Sequence, residues 1–278
     1  MLLSPALLVV VVLYGGGVAL AFSQSLGYLP FIGQREVSLG AYQRLIGDQA
    51  FQASLWLTLR LAITSTVVSA VLAIAGGMLI RGTRRGQRLS TFLFQFNLPM
   101  PHLVGAAAML LLLSQSGLVS RLAFSLGIVD SASAFPALNN DRLGVAIMAE
   151  YIWKEVPFIG VVVLAALRGE VQPYEEAAQV LGATAWQRFR YVILPLLMPG
   201  VLSTCIIVFA FTFGSFEVPY LLGQPFPAVL PVLAYRQYTD VDLASRAEAM
   251  AISFVVALLV SVMVLVYLRL SSKQRRER

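Results

Sequence analysis

The sequence predicts an all-α membrane protein with six transmembrane helices. Two features carry this: a composition too apolar for a water-facing surface, and the gathering of the apolar residues into long blocks. Of 278 residues, 58% are hydrophobic and 12% charged, against roughly 25% charged in soluble domains. A soluble fold of this length would need far more charge to cover its surface.

A helix needs about 20 mostly apolar residues to cross roughly 30 Å of hydrocarbon. Six stretches meet that length: 3–22, 52–80, 91–113, 143–167, 196–222 and 247–268. The second is long enough to tilt or to project beyond the bilayer. The fourth and fifth contain polar residues. Barrel strands would instead read as short alternating segments, which these blocks are not.

Orientation follows from Lys and Arg, which concentrate on the cytoplasmic side. The loop after the second span holds Arg81, Arg84, Arg85 and Arg88 without an acid. The tail holds Arg269, Lys273, Arg275, Arg276 and Arg278 against Glu277. Opposite loops are balanced: Arg35 and Arg44 face Glu36 and Asp48, and Arg121 and Arg142 face Asp130 and Asp141. Both termini are therefore expected in the cytoplasm. The net charge of +6 is a topology signal, not a nucleic-acid surface. Residues 6–20, with Ala19-Leu20-Ala21, have the form of a signal peptide. No Lys or Arg precedes them, so a retained first span is expected. Residues 1–50 thus form the first span and an outer segment, 51–270 the membrane core, and 271–278 a basic tail.

Single residues limit the chemistry. Cys205 and His102 are the sole cysteine and histidine, which excludes an internal disulfide or a multi-ligand Cys/His metal site. His102 lies beside Pro99 and Pro101, where a helix break is expected. Neither Lys154 nor Lys273 sits in a phosphate-binding glycine loop. No catalytic residue, metal or cofactor is assigned to the chain.

The segment between the fourth and fifth spans reads as two short helices. Pro173 suits a first helical position, which would place Glu175 and Glu176 in the first turn, at the positive end of the helix dipole. Tyr174, Ala177, Ala178 and Leu181 recur at i, i+3, i+4 and i+7, an apolar stripe. Gly182 ends the first helix. Thr184 and Gln187 then have the spacing of a capping box. Pro195 and Pro199 mark return to the membrane. A lipid-surface helix would carry Lys and Arg on its polar face, whereas this one carries Glu175, Glu176 and Gln179. The stripe therefore suits a protein partner.

This loop resembles the EAA signature of bacterial ABC importer permeases, in Glu176-Ala177-Ala178, Gly182, Val192 and Leu194-Pro195. Val192 stands where the family has Ile. The run Trp153-Lys154-Glu155-Val156-Pro157-Phe158, followed by Ala165-Ala166-Leu167, is also similar, so the resemblance covers about residues 50–270. It implies a type I ABC importer permease fold with a cytoplasmic coupling helix, in a bacterial inner membrane. The implied partners are a cytoplasmic ABC ATPase dimer holding ATP and Mg, a second permease and an extracytoplasmic substrate-binding protein. Tyr174, Glu175, Glu176, Ala177, Ala178, Leu181 and Gly182 would form the ATPase-coupling unit.

Ionisable groups inside a bilayer mark partners or pathways. Glu150 and Lys154, spaced i, i+4, form a candidate internal pair. The other reading has them line the substrate path with Trp153 and Glu155. Glu217 and Tyr220 are further path candidates, beside the helix-loosening Gly214 and Pro219. Arg60 is expected to snorkel or to meet an acid. The run Phe211–Gly223 resembles the polyamine, aminoethylphosphonate, thiamine and ferric-iron branch. That branch favours two different permease chains over two copies of one. Glu217, Asp240 and Asp242 favour a polyamine-like cation. A secondary carrier would show internal repeats and broken helices in both halves, and a membrane enzyme would need clustered catalytic groups.

Overall fold

The computed structural model describes residues 4–83, 86–131 and 134–276, with side chains from 7 to 269. Arg84, Arg85, Glu277 and Arg278 lie outside the described residues, as do the side chains of Lys273, Arg275 and Arg276.

The described residues are helical almost throughout. The chain opens with α1 (Ser4–Val9), a π-helical turn (Val10–Gly15), α2 (Gly16–Ser25) and α3 (Gly40–Gly47). Next come α4 (Gln49–Gly82), α5 (Gln87–Gln95), α6 (His102–Leu113), α7 (Leu118–Ser125) and α8 (Val145–Arg168). The loop contributes α9 (Val171–Val180) and α10 (Ala185–Arg188), followed by a π turn (Phe189–Ile193) and α11 (Leu194–Gly214). The chain closes with α12 (Glu217–Leu222), α13 (Leu230–Tyr238) and α14 (Arg246–Arg276).

Five stretches are long and apolar enough to cross a membrane: Leu7–Ser25, Gln49–Gly82, His102–Ser125, Ala185–Gly214 and Leu243–Arg269. The expected fourth span exists as α8, whose 24 residues reach about 36 Å. Glu150, Lys154 and Glu155 keep it outside the apolar set. The six expected spans thus comprise five apolar stretches and α8, the expected fourth span with polar residues.

The expected third span, 91–113, is not one helix. It divides into α5 and α6 at Phe96–Pro101, because Pro99 and Pro101 cannot donate to a helix ladder. The fifth differs as well. The expected second loop helix is the beginning of α11, since the helical run continues from Ala185 to Gly214. Pro195 would clash with the carbonyl four residues back in a regular helix. The π turn at Phe189–Ile193 loosens the backbone just before it. At its far end this helix breaks at Ser215 and Phe216 before α12.

The chain forms two compact units. One comprises residues 1–58 and 225–262, the other 59–224 and 263–278. In the first, Arg44 Nε meets Glu248 Oε1 at 2.6 Å and the Arg246 guanidinium lies over the rings of Phe31 and Tyr238. Thr58 Oγ1 accepts from the backbone N–H of Leu230 at 2.9 Å. Its hydroxyl is also satisfied within α4, donating to the Ser54 carbonyl.

The second unit holds a core of Ala73, Ile159, Val163, Leu167, Val171, Ile193, Leu197, Val201 and Val208. These come from α4, α8, α9, the π turn and α11. Phe94 of α5 packs against glycines on two helices: a Cβ at Gly76 would come within 2.7 Å of its ring, and one at Gly160 would overlap it. Only glycine admits the ring from both sides. Gly144, with φ 66°, precedes α8 where a Cβ would meet Leu61 at 2.8 Å. Arg60 meets no acid there; its guanidinium donates to the carbonyls of Arg142 and Leu143.

Candidate functional site

The loop between α8 and α11 is anchored at its base and bare at its tip. Val171 and Ile193 are buried in the core just described. Val180 and Leu181 are 88% and 87% exposed, with Tyr174 and Trp186 also in the open. Four large apolar side chains thus stand on a polar loop.

Its local geometry follows from short-range chemistry. Gly182 adopts φ 83°, a left-handed conformation that costs other residues about 1–2 kcal/mol. Its N–H donates to the Gln179 carbonyl and the Ala183 N–H to that of Ala178, the paired bonds of a Schellman ending. Thr184 Oγ1 accepts from the Gln187 N–H while Gln187 Oε1 accepts from the Thr184 N–H, a complete capping box. The turn expected at Gly182 and the cap expected at Thr184 are both present.

Two details of α9 are corrected. The helix begins at Val171, so Pro173 is its third residue, and Glu175 and Glu176 lie beyond the first turn. Pro173 is tolerated because none of the first N–H groups has an intrahelical partner. The expected stripe also divides. Val171, Glu175 and Ala178, spaced i, i+4 and i+7, are buried or half-buried, while Tyr174, Ala177 and Leu181 are exposed. Glu176 is exposed and accepts from Gln172 Nε2 at 2.9 Å. Val180 and Trp186 join the exposed tip, which sequence periodicity missed because they lie off the stripe.

A second cluster surrounds the break between α5 and α6. The expected pair of Glu150 with Lys154 does not form. Lys154 Nζ donates to the carbonyls of Asn97 (2.8 Å), Leu98 (3.3 Å) and Met100 (2.6 Å). These carbonyls lie in the break between α5 and α6, where that of Asn97 also accepts from the Met100 N–H at 3.0 Å. Asn97 reciprocates: its Nδ2 donates at 2.6 Å to the Trp153 carbonyl, the group deprived of its usual partner by Pro157 four residues on. Two helix defects therefore satisfy each other.

Glu150 is fully buried and its Oε1 lies 3.2 Å from His102 Nδ1; Glu155 Oε1 lies 3.8 Å from Nε2. His102 opens α6, as the two prolines just before it suggested, with its ring 4.5 Å from that of Phe211. A Cβ at Gly105 would stand 2.8 Å from Glu150. Trp153 is half-buried. Glu217 and Tyr220 are exposed on α12, while Val218, Pro219 and Leu222 are buried. Asp242 caps its own turn by accepting from the Ala244 N–H, and Asp240 accepts from the Asp242 N–H. Among the described residues no group of His, Cys, Asp and Glu could hold a metal ion.

These features define a class: a multi-spanning helical membrane protein with an apolar-tipped loop exposed between two of its helices. Residues 70–276 match the family of binding-protein-dependent transport system inner membrane components, and the chain belongs to that family. It is 35% identical over 178 residues to the inner membrane ABC transporter permease protein YdcU of Escherichia coli, covering 60% of this chain and 56% of that protein. It is 28% identical to the E. coli putrescine transport system permease PotI, over 70% of this chain and 64% of that one. The trehalose/maltose permease MalF of Thermococcus litoralis is 25% identical over 88% of this chain and 81% of its own length. In fold the chain is similar to a bacterial ABC transporter that imports the acidic polysaccharide alginate. There the TM-score is 0.78 at 21% identity, covering 98% of this chain and 94% of that one.

Proposed function

We propose that this permease subunit works in an ATP-driven importer whose ATPase is a separate cytoplasmic chain docked on α9, Gly182 and α10. The carrying observation is the exposed tip of Tyr174, Val180, Leu181 and Trp186 on a base packed into the core. Large apolar side chains on a rigid support suit a partner's cleft, where a few such anchors supply most of the binding energy. ATP and Mg belong to that partner. Both termini are cytoplasmic, and an extracytoplasmic binding protein delivers solute to the outer face. A different permease chain completes the pathway. Similar solved transporters agree in kind: one is described with an alginate-bound periplasmic protein, another as the MetNI methionine ABC transporter.

The docking face is tested by thiol labelling in a Cys205→Ser background. A cysteine introduced as Leu181→Cys should react with an impermeant maleimide in inside-out vesicles stripped of peripheral proteins. It should be protected at least about fivefold when the ATPase is restored. Equal labelling with and without ATPase removes the docking assignment, and labelling only in right-side-out vesicles reverses the topology.

For the cargo we propose a polyamine-like cation. The likeness to PotI and the exposed carboxylate of Glu217 support it. Relatives named for trehalose/maltose and molybdenum set the alternatives, with aminoethylphosphonate, thiamine and ferric iron. Titrating the purified binding protein with putrescine should give micromolar or tighter affinity. Heat on titration with a phosphonate or a sugar, and none with putrescine, replaces this reading.

A further inference from the structure

Within the docking unit the Glu175 carboxylate points inward. It lies on the face of α9 that begins with buried Val171, one turn further along, and its side chain is 17% exposed. Oε2 stands 2.5 Å from Arg81 Nη1, in the last turn of α4, and Oε1 stands 3.4 Å from Arg188 Nε on α10. Arg188 also donates from Nη1 to the Ala183 carbonyl at 2.9 Å, beside the Gly182 turn. One carboxylate therefore connects three elements: the projecting helix, the end of α4, and the helical run that continues into α11.

We propose that Glu175 is a strut that transmits movement of α9 to α4 and α11, and not a contact to the ATPase. The inference rests on the docking reading above. A helix fixed only at its base pivots there when its tip is pushed. A lateral tie above the base turns the same push into displacement of whatever it is tied to. Val171 supplies the base and Glu175 the tie. Arg81 suits this position because a cation at a helix C-terminus is favoured by the helix dipole. The arrangement divides labour between adjacent acids: Glu176 faces outward, and Glu175 holds the frame.

The test uses the complete transporter in phospholipid vesicles, without need of the cargo. A thiol introduced as Tyr220→Cys, with Cys205→Ser, reports ATP-driven movement of α12 through its maleimide reactivity. Arg81→Gln should keep stoichiometric ATPase and hydrolysis within about twofold, while the ATP-dependent change in reactivity falls at least about fivefold. Glu175→Gln should lose the ATP-dependent change to the same degree, the double variant should be no worse than either single one, and Arg81→Lys should keep most of the change. An unaltered change in Arg81→Gln overturns the strut. So does ATP-insensitive reactivity with Arg81 intact, since there is then no movement to transmit. ATPase lost from Glu175→Gln but retained by Arg81→Gln makes Glu175 a docking contact, leaving the docking reading intact. ATPase retained by Leu181→Asp removes the docking reading and the strut together.

Discussion

Lys154 and Asn97 reach into each other's helices: the ammonium takes carbonyls in the break between α5 and α6, and the amide takes the one opened by Pro157. Water could satisfy such acceptors in a soluble protein, but in hydrocarbon each open group is costly. Lys154→Met, similar in length and apolar, should therefore lower stability by about 1–3 kcal/mol for each of the Leu98 and Met100 carbonyls it leaves without the ammonium, seen as a lower thermal midpoint in detergent. Asn97→Leu should act in the same direction with a smaller effect, since one carbonyl is lost. An unchanged midpoint in both would show that the break is held by packing alone. Sequence suggested the break, because His102 follows Pro99 and Pro101, yet proposed Glu150 as the partner for Lys154, which bonds backbone carbonyls instead. An acid on the same helix face, Glu150, was legible at the i, i+4 spacing. Carbonyls made available by a defect on another helix leave no local sign.

Local signals located the end of α9 and the cap of α10, though Pro173 misplaced the start of α9 by two residues. The Gly182 ending and the Thr184 cap are fixed by residues within five positions of each other, and both are present. Continuity was harder to read. Pro195 was expected to separate loop from span, but a π turn lets the helix pass it, so α10 belongs mechanically to α11. The seating of α5 is another nonlocal feature. Its Phe94 ring fills space left by Gly76 on α4 and Gly160 on α8. Gly160→Val should overpack this contact and cost about 1–3 kcal/mol, while Phe94→Ala in the same chain should recover part of the loss. A Gly160→Val protein as stable as the parent would show that α5 can move aside without penalty.

For the molecule as a whole, composition established the membrane class and the EAA-like loop the family, because both depend on residue types rather than on three-dimensional neighbours. The fourth expected span is the helix α8, which the apolar set omits because it spends part of its length on Glu150, Lys154 and Glu155. Those buried groups bind the helix defects and His102 within the described fold. The exposed Glu217 and Tyr220 remain the better-placed candidates to meet a solute. On the proposed docking, energy enters at the opposite kind of site, an apolar tip on a polar loop. The most direct test of that claim is the amount of ATPase recovered when the tagged chain is purified from membranes. The parent should bring down an ATPase in stoichiometric yield. Leu181→Asp, inserted to the same level, should lose at least about 90% of it, as expected when an apolar anchor worth about 2 kcal/mol or more is replaced by a charge. Full recovery of ATPase with Leu181→Asp, or none with the parent, would contradict the account.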